Sequence, residues 1–397
     1  MVIIFSAEHY FENGTPITGF PMYLKRVTTA LVKLGHMPII VACGKRNRHY
    51  FQDGVEIYFV CCQPRVTKVK SWTLLKASVY KSKVVNQKIK EIIKTRNVDI
   101  IQFTSIQGSG LFYHGKVPAV MRLSSYAKTR FATHQTLNKT ETAVLTCMER
   151  LSARRCNAIF APARITADDF AQDIGRPVSV IESPFANDVA EYDESVYIKQ
   201  LQGKKYVLFF GRLMAEKGIL VIADIIPQFL KTHPEYSIVC CGPNDSLING
   251  KHAINILTES AKGYEEQFIY LNALLHEQLY PIIQKADFVI LPSLIENLSN
   301  ACIEAMHFGR VVIGTDGASY EQLIDDGISG LLCKPNDADS LLEKMNEAAS
   351  MSEAQKKKIG EMAKKRIDRL APDVVVRKLL RFYQYVIDNV NKSKPPL

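Results

Sequence analysis

The sequence predicts an α/β protein built as two doubly wound parallel-sheet domains, and three observations predict it. Short apolar runs alternate with helical patterns along the whole chain, the mark of parallel sheets with helices on both faces. The runs fall into two series, separated by the acidic, irregular stretch Asn187 to Glu194. A chain of 397 residues is also too long for one core and suits two domains of ordinary size.

Taken in order, the strand candidates of the first series are Val2–Ser6, Pro38–Ala42, Val55–Val60, Ile100–Phe103, Ala119–Leu123, Ala158–Ala161 and Val178–Ile181. Helical spacing recurs between them, at Met22–Leu34, Ser71–Lys94 and Thr140–Arg155. The second series runs through Tyr206–Phe210, Ser237–Cys241, Phe268–Tyr270, Phe288–Leu291, Val311–Ile313 and Gly330–Cys333. Val374 to Val390 reads as a terminal helix. The expected division is 1–195, 196–373, and a helix with tail over 374–397 that packs back on the first domain. Ligands of such a pair belong in the cleft between the domains, where strand C-termini meet helix N-termini.

The composition, 47% apolar and 23% charged, is that of a soluble globular protein. No stretch approaches the roughly 18–20 continuous apolar residues of a membrane-spanning helix, and the first residues read as a strand rather than a leader, so the expected location is cytoplasmic. Nine cysteines without Cys-x-x-Cys or zinc spacing read as buried thiols. The net charge of +10 sits in residues 1–195, with 26 Lys/Arg against 16 Asp/Glu; the remainder holds 24 of each. The densest basic run, residues 65–96, carries apolar residues at helical spacing and suits an anionic membrane surface. It lacks the interleaved aromatics of a nucleic-acid site, so no nucleic-acid partner is expected.

Two constellations carry chemistry. Gly211-Arg212-Leu213-Met214-Ala215-Glu216-Lys217-Gly218 follows an apolar strand and precedes a helix. Arg212 offers a planar fork of donors and Lys217 a compact charge where a diphosphate would dock. The second runs from Pro292 to Met306, with Glu296 in the loop after a strand and Glu304 on the following helix, capped by Asn297 or Ser299. The free N–H groups of that helix start suit phosphate, and two carboxylates roughly 8–12 Å apart suit hydroxyls of two sugars.

Gly-Arg-Leu-x-x-Glu-Lys-Gly, followed about eighty residues later by Pro-Ser…Glu-x7-Glu-Ala-Met, resembles the donor domain of glycosyltransferase family four. The likeness continues through Gly309, Val311–Ile313, Gly317, Glu321-Gln322-Leu323-Ile324 and Asp326-Gly327-x-x-Gly330 to Pro335 and Asp337. It implies the GT-B fold and retaining sugar transfer from a nucleotide-diphosphate donor, UDP-linked above all, to a glycan or lipid-linked glycan. Such a hexosyltransferase suits bacterial surface-polysaccharide biosynthesis. The resemblance places Arg212 and Lys217 on the diphosphate, Glu296 on the transferred sugar and Glu304 on the nucleotide ribose. Gly211 belongs to the donor site, with phosphate also bound by backbone from Asn297, Leu298, Ser299 and Asn300. Gly242, Tyr270 and Leu271 match the walls of the base site, and Gly19, with Gly14, the glycine loop near the phosphates.

Two departures stand out. Cys240-Cys241-Gly242-Pro243 replaces the usual Gly-x-Gly, and Ser124 stands where many relatives carry an acceptor-side His, with Arg122 beside it. His9, His114 and His134 are alternatives for that role. Asp337-Ala338-Asp339 reads as a helix cap rather than a metal motif, so neither a metal nor a cofactor is expected. Rival readings are a GT-B isomerase or epimerase of nucleotide sugars, and a non-catalytic nucleotide-sugar-binding subunit.

Overall fold

The computed structural model describes residues 1–11, 19–62, 73–129 and 139–392. The expectations placed on Gly14, His134 and residues 65–72 fall outside them. The chain divides into two units: Met1–Ala186 with Leu370–Leu397, and Asn187–Arg369.

In the first unit the strands are β1 (Val2–Ala7), β2 (Met37–Gly44), β3 (Arg48–Gln52), β4 (Val55–Cys61), β5 (Ile100–Thr104), β6 (Ala119–Arg122), β7 (Ala158–Ala161) and β8 (Ser179–Val180). They form one sheet in the order β3-β4-β2-β1-β5-β6-β7-β8, antiparallel at β3–β4 and parallel elsewhere. Ile3 and Ile4 of β1 face opposite sides and both are fully buried, because helices cover both faces of a parallel sheet. The Phe20–Lys33 and Pro372–Lys392 helices pack Leu24, Val27, Val376 and Leu379 on one face. The Thr73–Thr95 and Arg164–Ile174 helices pack Val85, Ile89, Ala167 and Phe170 on the other. Tyr383, on the terminal helix, donates from Oη to Gln102 Oε1 of β5 at 2.5 Å.

β3 is absent from the strand candidates of the sequence. Its residues, Arg-His-Tyr-Phe-Gln, are mostly exposed at a sheet edge, so no apolar run marks it. The mark it does leave is Asp53-Gly54, both at positive φ, which joins β3 to β4 as a tight hairpin.

In the second unit β9 (Lys205–Phe210), β10 (Tyr236–Cys241), a short hairpin of β11 (Leu247–Ile248) and β12 (Lys251–His252), β13 (Phe268–Leu271), β14 (Phe288–Leu291), β15 (Val311–Thr315) and β16 (Leu331–Cys333) follow in turn. Its main sheet is parallel throughout, ordered β13-β10-β9-β14-β15-β16. The order reverses between β9 and β14. In doubly wound sheets that reversal opens a crevice at the strand C-termini.

Candidate functional site

Both constellations read from the sequence leave the sheet at that crevice. Gly211 to Gly218 follows β9, and Pro292 to Ser299 follows β14. The backbone ties them together, the Leu294 N–H donating to the Glu216 carbonyl at 2.8 Å. Lys217 Nζ forms an ion pair with Glu296 Oε1, and Ser293 Oγ donates to the same oxygen at 3.2 Å. The Glu296 side chain is 13% exposed, so it is a mostly buried carboxylate with its charge answered by one lysine. Behind it, Tyr320 Oη donates to Ser293 Oγ at 3.1 Å, or to Ser299 Oγ at 3.4 Å. Burial, with the Glu296 charge nearby, pushes the Tyr320 hydroxyl well above its ordinary range, so it stays a donor. Tyr320, Ser293 and Glu296 thus form a chain that fixes where the carboxylate points.

The Asn300–His307 helix begins with Ser299 as its N-cap, the Ser299 Oγ accepting from the Cys302 N–H at 3.3 Å. Of the two capping candidates the backbone uses Ser299, and Asn297 instead offers its carbonyl to Ser319 Oγ at 3.0 Å. Glu304 lies buried on this helix with His276 Nε2 3.6 Å from its Oε1. Arg212 is about half exposed and pairs with Asp245 in the loop after β10. The Gly242 N–H donates to the Leu271 carbonyl at 3.0 Å, while Tyr270 Oη donates to the Gly242 carbonyl at 3.0 Å or to Asn272 Oδ1 at 2.9 Å. Gly242, Tyr270 and Leu271 therefore form one wall at the ends of β10 and β13.

In the first unit, Gly19 caps the Phe20–Lys33 helix without a side-chain hydrogen bond. Arg122 and Ser124 meet, Arg122 Nη1 donating to Ser124 Oγ and Nη2 to Ser183 Oγ, each at 2.8 Å. Arg122 is 5% exposed, and its Cζ lies 3.9 Å from the Tyr23 ring centroid. That guanidinium is held inside the unit by hydroxyls and a ring face.

Residues 194–366 match the sequence profile of the glycosyl transferases group 1. The matched span contains every second-unit site residue from Gly211 to Glu304. The chain is a glycosyltransferase.

An uncharacterised glycosyltransferase of Methanocaldococcus jannaschii is 20% identical over 341 residues, covering 82% of this chain and 83% of that protein. A D-inositol 3-phosphate glycosyltransferase of Corynebacterium urealyticum is 25% identical over 183 residues, 45% of this chain and 43% of that enzyme. Among solved structures, sucrose-phosphate synthase of Thermosynechococcus elongatus superposes with a TM-score of 0.77 at 13% identity, covering 98% of this chain and 100% of that one. HepE of Anabaena, in complex with UDP, gives 0.69 at 18% identity over 97% and 100%. The transferase therefore has the GT-B fold.

Two residues of the candidate site escaped the sequence reading. Tyr320 sits in a short turn after β15 and belongs to no pattern; only the fold brings it under Glu296. Asp245 is one of several loop acids, distinguished only by its partner Arg212. Asp337, by contrast, caps the Ala338–Ser350 helix, its Oδ1 accepting from the Ser340 N–H at 2.9 Å. Among the described residues no group of three His, Cys, Asp or Glu side chains is arranged to hold a metal ion.

Proposed function

We propose that the transferase moves a hexose, with retained anomeric configuration, from a nucleoside-diphosphate donor to a hydroxyl of a glycan or lipid-linked glycan. The observation that carries this reading is the meeting of Lys217 and Glu296 at the switch point of the second sheet. A cation for the leaving diphosphate and a carboxylate for sugar hydroxyls stand side by side, with a helix N-terminus next to them. On donor binding, Arg212 and Lys217 exchange the carboxylates of Asp245 and Glu296 for phosphate oxygens. Glu296 then turns to hydroxyls of the transferred sugar, Glu304 takes the ribose, and the Gly242, Tyr270 and Leu271 wall takes the base. A UDP donor is favoured by the UDP-bound relative HepE.

No side chain in the site is placed as a nucleophile in this reading. The acceptor oxygen attacks on the face the diphosphate leaves, and the leaving phosphate receives the acceptor proton. The cations and the helix terminus supply the positive charge, so no metal or cofactor is required. The basic first unit suits an acceptor presented at an anionic membrane surface, as in bacterial surface-polysaccharide assembly.

A thermal-shift screen of nucleotide sugars finds the donor, since a ligand at 100 times its dissociation constant stabilises by about 2.7 kcal/mol. With that donor, Arg212→Ala, Lys217→Ala and Glu296→Ala should each lower donor hydrolysis by roughly 100- to 1000-fold while remaining folded. Full hydrolysis in all three variants overturns the reading.

A further inference from the structure

The first sheet has a switch point of its own. Its order reverses between β1 and β5, where the chain leaves through Ser6-Ala7-Glu8 and through Thr104. A small cavity lies at those two strand ends, covered by the Thr73–Thr95 helix and the turn at Ile106–Gly108. Its interior of about 20 Å³ holds one water-sized group and no more.

Most of the polar groups around it are spoken for. Ser82 Oγ donates to the Gly108 carbonyl at 3.0 Å, Ser109 Oγ to the Thr104 carbonyl at 2.7 Å, and Thr104 Oγ1 to Ser124 Oγ at 3.1 Å. Ser6 is the exception. It is 1% exposed, and among the described residues its hydroxyl has no hydrogen-bond partner. A buried hydroxyl left unpaired costs roughly 1–3 kcal/mol, so such an atom points to something that completes it. At the rim, the contacts of Lys81 Nζ among the described residues are long, 3.6 Å to Glu8 Oε1 and 3.4 Å to Gln107 Oε1. Gln107 takes a left-handed backbone (φ 54°, ψ 22°), a conformation rare for a side-chain-bearing residue and found disproportionately at binding sites.

We propose that this cavity receives one hydroxyl-bearing arm of a neutral sugar or polyol, the acceptor of the transferase. The proposal rests on the reading of the chain as one that transfers to a hydroxyl. A hydroxyl gives and takes one hydrogen bond each, which is what Ser6, Glu8 and Lys81 together offer. Among the described residues the rim carries one positive and one negative charge, Lys81 and Glu8, and so no net attraction for an anion. A phosphate is also too large for the interior and would face Glu8. An apolar arm would leave Ser6 as unpaired as before.

Saturation-transfer NMR on the full chain tests this, with myo-inositol, methyl α-D-glucopyranoside and methyl α-D-mannopyranoside as probes and inorganic phosphate as competitor. At least one probe should saturate on the wild-type protein and resist displacement by phosphate. Its signal should fall about fivefold in Ser6→Val, which fills the cavity, and about threefold in Glu8→Gln. Absence of any wild-type signal, displacement by phosphate, or wild-type signal in Ser6→Val overturns the proposal, and a water is then the occupant. Should Ser6→Val fail to fold, Glu8→Gln decides alone, and an unchanged signal there is equally fatal. The thermal shift given by UDP should be the same in both variants and the wild type. If UDP shifts none of them, the donor reading falls while the probes still decide the cavity.

Discussion

At the scale of single residues, Asp173 shows how a charge can be tied down within the first unit. Burial alone would raise its carboxyl, but donors from Lys128 (2.7 Å), Tyr126 and Arg150 outweigh it and hold the group at about 2. The folded value lies below the unfolded one of about 3.9, so the added stability is complete above that value and is lost as pH falls towards 2. Lys128 is well exposed, which weakens its part through solvent screening. Asp173→Asn should therefore cost on the order of 1–2 kcal/mol at neutral pH and only a minor part of that near pH 2. Urea titrations at pH 7 and pH 2.5 check this; equal losses at both would mean that packing, not charge, holds the site. Arg122 illustrates the opposite relation to sequence. Its place beside Ser124 could be read from spacing, but its ring partner Tyr23 and hydroxyl partner Ser183 lie far away along the chain and no spacing announces them.

At the scale of elements, the strand C-termini of the second sheet are packed backbone against backbone. A Cβ on Gly242 would sit 1.9 Å from the Gly211 carbonyl oxygen, and φ there is 147°. Neither the carbonyl nor the conformation can give way cheaply, so Gly242→Ala should destabilise the second unit by about 2 kcal/mol or more. Calorimetry should show its melting temperature fall by roughly 4–8 °C, with weaker binding of UDP; an unchanged melt would show that the loop moves freely. Regular elements of this kind were plain in the sequence because both faces of a parallel strand are buried and leave an unbroken apolar run, as at Phe288–Leu291. Lys217 and Glu296 were legible for a related reason: each stands at the end of such a run. β3 was not, since an edge strand with exposed Arg48, His49 and Phe51 has no apolar face to advertise. Nor was Tyr320, whose role depends on β15 lying beside β14, a fact of sheet order rather than of local pattern.

At the scale of the whole molecule, charge is divided as unevenly as the chemistry. The Thr73–Thr95 helix exposes Lys76, Lys83 and Lys90, spaced by seven residues and so in line along one side. Each lysine near an anionic surface is worth about 1 kcal/mol. Vesicles containing anionic lipid should therefore sediment the protein more than neutral ones, with the difference lost in Lys76→Glu/Lys83→Glu/Lys90→Glu and at high salt. Equal sedimentation by both kinds of vesicle would remove the electrostatic part of the membrane reading. The terminal helix has a different kind of consequence. Gln102 of the fifth strand receives Tyr383, 281 residues further on, and the whole of Asn187–Arg369 lies between the two parts of the first unit. A ribosome adding roughly 5–20 residues per second takes roughly 10–40 s to cross that interval. For that time the sheet that was made first lacks the terminal-helix partner of Phe160, whose ring meets Phe382 at 5.5 Å, while the later unit has all its strands in hand. The unit begun first is the one finished last, and the second unit can be folded before the first is closed.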